Sequence, residues 1–209
     1  MCVPGMGVAG KSAWKSERKE IMRYDKGHKE TTKRRIVEVA STEFRRNGLE
    51  GIGVADVMAK AGLTHGGFYS HFESKEDLIR ETIKQCGGKS LFERVIEEGG
   101  GVEDMIRRYL RPEHRDNPQK GCPAAALVEE VARRGKKTRV SFTENLSKIL
   151  TLIESRLPRG SSPATRRKKA LAVFASIMGS LQLARAVSDK ELSDQILETG
   201  IAAACLLAK

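Results

Sequence analysis

The sequence has few cysteines, and the four present, Cys2, Cys86, Cys122 and Cys205, are widely separated. None forms a Cys-x-x-Cys pair and no histidine cluster stands near them, which argues against a zinc site or a disulfide framework. The chain also lacks a phosphate-binding glycine loop and a nucleophile placed beside an obvious base. We therefore expect a protein that is not an enzyme and that binds no metal or cofactor.

Long apolar runs are also missing. The apolar stretch over residues 200–208 is far shorter than the roughly 20 residues that cross a bilayer. Near the N-terminus the basic residues follow the weakly apolar segment, which is the reverse of a secretory signal. We expect a soluble, cytoplasmic protein with reduced cysteines and no membrane contact.

Acidic residues are too few to balance the basic ones. The chain has 38 Lys and Arg against 27 Asp and Glu, a formal net charge of +11. An excess of this size suits an anionic partner, either nucleic acid or an acidic membrane surface. Charge alone does not choose between these partners.

Helical periodicity covers most of the chain, and no segment has a convincing strand pattern. Residues 1–27 have no apolar period and are interpreted as a flexible arm. Gly48 and Pro112 are predicted to interrupt helices, and Pro123 to begin one. Helices are predicted at about 28–47, 54–61 and 64–72, and a further helix starts at 75. The later part of the chain is predicted to have a helix around 105–110, a polar loop at 113–120, a helix that starts at 123, a helix that ends at 157, and two long helices at 162–187 and 189–208.

These elements predict an all-α protein in two folded parts. Residues 28–88 are expected to form a three-helix, helix-turn-helix domain, and residues 89–209 a larger helical domain.

The segment around residues 54–72 has the pattern of a helix-turn-helix. Gly62 fits the turn, Thr64 is a suitable N-cap, and Phe68 and Phe72 can anchor the second helix to a core. Glycines 66 and 67 each cost about 1 kcal/mol in a helix. A sequence tolerates this where another surface approaches the backbone closely, and the major groove of DNA is such a surface.

The motifs of this segment resemble those of the TetR family of transcriptional regulators. The matching residues are Ile36, Ala40, Phe44 and Gly48, then Val57, Ala61, Gly62, Leu63 and Thr64, then Phe68, Tyr69, His71, Phe72, Lys75 and Leu78. The chain departs from the family at Gly53, which often is Ser or Thr, and at Gly67, which often has a small side chain.

The resemblance implies a set of DNA contacts. Tyr69, His71 and Lys75 correspond to phosphate contacts, with Lys33 and Val54 as further candidates. Thr64, His65 and Gly66 are the candidates for base edges, and Gly67 is the remaining predicted DNA-binding residue.

The C-terminal part resembles the ligand-binding and dimerisation domain of these regulators. Its last two helices are apolar over much of their circumference, which predicts burial on more than one side. The predicted dimer interface comprises Ala172, Ala175, Gly179, Ile196, Gly200, Ile201 and Ala204. A two-fold dimer implies a pseudo-palindromic operator.

An effector pocket is expected among the central helices of this part. The candidate lining residues are Tyr109, Cys122, Leu127, Phe142, Leu146, Phe174 and Met178, which predict a hydrophobic or planar organic ligand. The predicted function is therefore a homodimeric repressor released from DNA by a small hydrophobic ligand.

Two alternatives stay open at the level of sequence. The segment Gly121-Cys122-Pro123 resembles one found in a group of TetR-like regulators, and a thiol at a helix start can sense electrophiles or oxidants. The other alternative is a DNA-binding protein that needs no effector.

Overall fold

The computed structural model describes residues 13–84 and 90–209, and side chains from residue 27 onward. Within these ranges helices are the only regular secondary structure and there is no strand, as predicted. The helices are α1 (Ala13–Asn47), α2 (Val54–Lys60), α3 (Lys75–Lys84), α4 (Leu91–Glu97), α5 (Val102–Tyr109), α6 (Pro112–Asp116), α7 (Pro123–Ala132), α8 (Lys136–Glu154), α9 (Pro163–Ala186) and α10 (Lys190–Ala208), with 3-10 helices at His65–Ser70 and Pro118–Lys120.

The helix ends follow the local signals in the sequence. Gly48 ends α1 with φ +79°, and Gly62 makes the turn after α2 with φ +68°, a backbone conformation that favours glycine. Ser74 precedes α3 and its Oγ accepts from the backbone N–H of Asp77 at 3.2 Å. Ser90 and Glu93 form a reciprocal capping box at the start of α4.

Three details of the secondary structure differ from the prediction. The first helix begins at Ala13, not near His28. The prediction missed this start because a polar helical segment without an apolar face gives no periodic signal. Residues 1–12 of the predicted arm lie outside the described residues. The predicted helix at 64–72 is a 3-10 helix over His65–Ser70, in keeping with the poor helix propensity of two successive glycines. The predicted loop at 113–120 overlaps α6, which begins at Pro112, and contains the second 3-10 helix, which begins at Pro118.

Two apolar cores organise the molecule. The N-terminal core joins α1, α2, the first 3-10 helix and α3, and it also receives Leu127 and Val131 from α7. The C-terminal core joins α4, α5 and α7 to α10, and Phe142 of α8 packs against both cores. The predicted boundary between residues 88 and 89 falls outside the described residues, and α7 contributes to both parts.

Polar contacts at the C-terminal end of α7 also connect the two parts of the molecule. Glu130 accepts a hydrogen bond from the backbone N–H of Leu49 at 2.8 Å. Arg134 forms ion pairs with Glu50 and with Glu76, the latter at 3.4 Å. The end of α7 is therefore tied to the loop that follows α1 and to the start of α3.

Candidate nucleic-acid interface and adjoining cavity

The first 3-10 helix presents an uncharged, exposed face. Phe68 and Phe72 point inward, stack at 5.4 Å between ring centroids and are almost fully buried. Tyr69 points outward with 66% of its surface exposed, and its ring lies edge-on to Phe68 at 5.3 Å. An exposed aromatic ring supported by a buried one is a rigid contact surface.

The glycines of this helix are not required by the fold of the chain. A Cβ added at Gly66 would meet no heavy atom of the described residues within 4 Å, and one at Gly67 would make only ordinary contacts, at 3.6 Å or more. Neither residue has a positive φ. The space beside Gly66 is therefore open, which suits the close approach of an external surface.

The other predicted DNA contacts surround this face. Thr64 and His65 are exposed at its start, and Val54 is the first residue of α2, where backbone N–H groups lack helical partners. Lys33 of α1 stands over the Phe72 ring, with its Nζ 5.4 Å from the ring centroid. Lys75 begins α3 and its Nζ lies 3.1 Å from Glu50.

His71 is the C-cap of the first 3-10 helix and is half-buried. Its pKa is lowered, first by burial and then by the positive charges of Lys29 and Lys33. Its Nδ1 is buried and has no hydrogen-bond partner among the described residues. The two lysines therefore add positive potential beside a predominantly neutral imidazole, next to the exposed helix.

A cavity of about 850 Å³ lies where the two cores meet. Two of the candidate effector-pocket residues, Tyr109 and Cys122, line it. The other five predicted lining residues do not: Leu127 packs in the N-terminal core, Phe142 packs against both cores, and Leu146, Phe174 and Met178 belong to the C-terminal core. These side chains project from faces of their helices that the neighbouring helices cover.

Sequence reasoning missed the polar residues of this cavity. They come from both parts of the chain, and the basic ones are Arg45, Lys84, Arg94, Arg111, Lys120 and Lys148. Scattered single charges on several helices leave no motif, so only the packing of α1 against the later helices brings them together.

His114 connects the elements around this cavity. Its Nε2 accepts from the backbone N–H of Cys122 at 3.0 Å, so its Nδ1 carries the hydrogen and donates to the Tyr109 carbonyl at 2.6 Å. A Cβ at Gly121 would lie 2.6 Å from Nε2, so glycine is needed for this approach. Arg185 donates to the His114 carbonyl at 2.6 Å.

Burial lowers the pKa of His114 to about 4 from its ordinary value of 6.5. In the unfolded chain this imidazole gains a proton below pH 6.5, whereas in the folded chain it stays neutral until about pH 4. Stability is therefore lost as the pH falls through this window, by about 2 kcal/mol between pH 7 and pH 5. We expect His114→Gln to remove this part of the loss, measured as urea unfolding free energies at both pH values. Equal losses in the two proteins would contradict this assignment.

The last two helices have an exposed apolar face. Of seven large hydrophobic side chains that are exposed in the described residues, five lie on α9 and α10. These are Leu171, Leu183, Leu192, Leu206 and Leu207. On α10, Leu192, Thr199, Ala202 and Leu206 are all exposed and follow the 3–4 spacing of one helix face.

The predicted interface residues divide between this face and the interior. Ala175 is exposed, and a Cβ at Gly179 would meet no atom of the described residues within 4 Å. The other predicted positions on these helices, Ala172, Ile196 and Ile201, are half-buried. Gly200 and Ala204 are buried within the protomer: a Cβ at Gly200 would lie 2.4 Å from the Ser180 Oγ. These two small residues allow α10 to approach α9 and do not lie on the exposed face.

No helix within residues 13–84 and 90–209 combines the length and the apolar character needed to span a bilayer.

Comparison with known proteins finds similarity to bacterial regulators over the segment that contains the exposed 3-10 helix. Residues 36–82 match the family described as "Bacterial regulatory proteins, tetR family". The uncharacterised HTH-type transcriptional regulator YdgC of Bacillus subtilis (strain 168) is 32% identical over 82 residues, which are 38% of this chain and 42% of that protein. The chain thus matches less than half the length of this curated relative.

Solved structures share the fold over most of the chain, and two of them serve as examples. The TetR-family regulator from Cytophaga hutchinsonii superposes with a TM-score of 0.66 at 21% identity, covering 85% of this chain and 95% of that one. FadR from Bacillus subtilis, in complex with stearoyl-CoA, superposes with a TM-score of 0.57 at 18% identity, covering 81% and 97%. Residues 36–82, which include the exposed 3-10 helix, thus match the tetR family of bacterial regulatory proteins, and the chain has the helical fold of these solved structures.

Proposed function

We propose that the protein is a cytoplasmic, homodimeric transcriptional repressor that binds a pseudo-palindromic DNA operator and is released by a small organic ligand. The observation that carries this proposal is the open space beside Gly66, on an exposed face that also holds Thr64, His65 and Tyr69. An uncharged face of low profile can lie in the major groove, while the neighbouring basic residues contact phosphates.

The exposed leucines of α9 and α10 support the dimer. Five large apolar side chains on two adjacent helices form a face that water solvates poorly, and a second copy of the same face would bury it. A two-fold pairing of α9 and α10 gives a four-helix interface and presents two contact helices to one duplex.

The position of α7 supports control by a ligand. Cys122, the N-cap of this helix, lies on the wall of the cavity, and near the other end Glu130 accepts a hydrogen bond from the backbone N–H of Leu49. Leu127 and Val131 insert its middle into the N-terminal core. A ligand that displaces the start of α7 would act on the DNA-binding part through these contacts, and a coupling of a few kcal/mol is enough to release DNA. The stearoyl-CoA bound to FadR is consistent with a ligand site in this fold.

Sensing through the Cys122 thiol stays a second candidate function. The half-buried thiol lines the cavity, so an electrophilic molecule in the cavity would meet it.

The salt dependence of DNA binding tests the proposal at Lys75. Lys75→Ala should weaken binding to all duplex sequences and reduce the slope of log K against log salt by about one, because one phosphate contact is lost. Binding is measured by fluorescence anisotropy on a random-sequence duplex and on an operator recovered by selection from a random pool. Lys137→Ala, an exposed lysine of α8, is the matched control and should keep the slope. An unchanged slope for Lys75→Ala would remove Lys75 from the interface, and no binding at low salt would refute the proposed function.

A further inference from the structure

The cavity between the two cores has the size of a site for a small organic molecule. Its volume of about 850 Å³ lies within the range of roughly 300–1,000 Å³ that ligand pockets usually have. Its wall includes Arg45 of α1 as well as residues of α4 to α8. A molecule in this cavity would therefore touch both the DNA-binding part and the C-terminal part.

The charge of the wall is strongly one-sided. Of the described residues that line the cavity, six are basic and two are acidic. The acidic Glu93 is engaged in the capping box with Ser90, and Glu113 lies 3.9 Å from Arg111. Excess positive charge at a concave surface attracts anions.

The floor of the cavity is aromatic and contains an unsatisfied hydroxyl. Tyr109 is 1% exposed, and its phenol oxygen makes no hydrogen bond of normal geometry among the described residues; the weakly hydrogen-bonding thiol of Cys122 lies beside it. Phe92 stacks on its ring at 5.7 Å, and Ile149 adds an apolar side chain to the wall. A buried hydroxyl without a partner is destabilising, and a ligand atom that bonds to it removes this penalty.

We propose that the cavity binds an organic anion with an apolar body. This inference rests on the proposed function, because the anion is the ligand that releases the protein from DNA. The acidic group lies among the basic side chains, with Arg111 and Lys148 as the principal contacts. The ring or chain packs on Phe92 and Ile149, and a polar atom of the ligand bonds to the Tyr109 hydroxyl. The ligand predicted from the sequence was hydrophobic or planar, and the basic wall adds the requirement for negative charge.

The proposed ligand would also affect the contacts between the DNA-binding part and the C-terminal part. Arg45 of α1 lines the cavity and donates from its Nε to the Gln119 carbonyl at 2.9 Å, at the second 3-10 helix. This helix leads directly into Cys122 and α7. An anion beside Arg45 would compete for its guanidinium and so bias the contact between α1 and the segment that precedes α7.

Two fluorescent probes that differ only in charge test the proposal. 8-Anilinonaphthalene-1-sulfonate is an anion, and N-phenyl-1-naphthylamine is the same framework without the sulfonate. Titrated into the full-length protein without DNA, the anion should bind at least about tenfold more tightly than the neutral probe. The double variant Arg111→Gln/Lys148→Gln should lose this preference while it binds the neutral probe within about twofold of the original.

Control variants separate the site from general charge and from folding. Lys136→Gln/Lys137→Gln removes the same charge from exposed positions outside the cavity, and it should leave both affinities unchanged. The single variants Arg111→Gln and Lys148→Gln keep the test informative should the double variant not fold. Equal binding of the two probes, or the same loss in the control variant, would overturn the proposal.

Tyr109→Phe tests the hydroxyl by itself. It should weaken the binding of the anion several-fold and leave the thermal midpoint of the free protein unchanged or raised, because the removed hydroxyl makes no hydrogen bond of normal geometry in the free protein. A lower midpoint with unchanged affinity would show that the hydroxyl serves the fold and would overturn its assignment. Binding of the anion and binding of DNA are measured separately, and release of DNA by the anionic probe is measured last. A protein that binds DNA but not the anion refutes this inference alone. A protein that binds the anion but no DNA refutes the proposed function alone.

Discussion

Gly66→Glu is expected to reduce operator binding by more than about a hundredfold without destabilising the protein. The added side chain enters space that is open in the free protein, so the unfolding free energy should change little. In the complex the same side chain would push a negative charge against the duplex, and such like-charge contacts cost several kcal/mol. Anisotropy on the selected operator and urea unfolding measure the two effects separately.

Gly66→Ala gives the graded form of the same experiment. Alanine restricts the unfolded chain more than glycine does, so stability should rise by about 0.4–1 kcal/mol while affinity falls. Gly135→Glu and Gly135→Ala are the matched controls, because Gly135 also has open space around it but lies before α8, away from the exposed 3-10 helix. If both Gly66 variants bound DNA like the original protein, the face around Gly66 would not enter the groove.

Leu183→Glu combined with Leu206→Glu is expected to convert a dimer into monomers and to weaken operator binding by more than about a hundredfold. These leucines are 61% and 67% exposed on α9 and α10, so glutamate is tolerated in the monomer. In the dimer the four added charges would be buried against one another. Loss of the second half-site removes an avidity that commonly reaches 10²–10⁴. Sedimentation at micromolar concentration and titration of the full operator give the two readouts.

Two controls make this result specific to the interface. Val140→Glu changes an equally apolar, 47% exposed side chain on α8 and should leave both the mass and the affinity unchanged. A duplex with a single half-site should bind the original and the doubly substituted protein with similar affinity. A monomer in the original protein, or a dimer that survives both glutamates, would place the interface elsewhere.

The helix-turn-helix could be predicted from the sequence because its signals are local. Gly48 and Gly62 take positive φ values where the turns require them, and Ser74 bonds to the start of α3. Phe68 and Phe72 are four residues apart and both point inward. The local signal was weaker where propensity is poor, so the helix that contains Gly66 proved to be a 3-10 helix.

The start of α1 and the segment 113–120 were harder to predict for different reasons. A polar helix before residue 28 has no apolar stripe that marks it, whereas α6 and the second 3-10 helix are only five and three residues long. Periodicity needs several turns before it becomes visible.

The amino-acid sequence by itself determined that this protein is helical, that it is strongly basic, and that residues 36–82 match the tetR family of bacterial regulatory proteins. These properties depend on charge, on helix period and on residues within a few turns of one another. Tertiary structure alone decided which sides of α9 and α10 remain exposed and which side chains line the cavity. The sequence of a helix that is apolar on several sides does not indicate which side faces solvent, because that side is determined by packing against residues from distant parts of the chain. For the same reason Gly200 and Ala204 lie inside the protomer, whereas six scattered basic residues meet around one cavity.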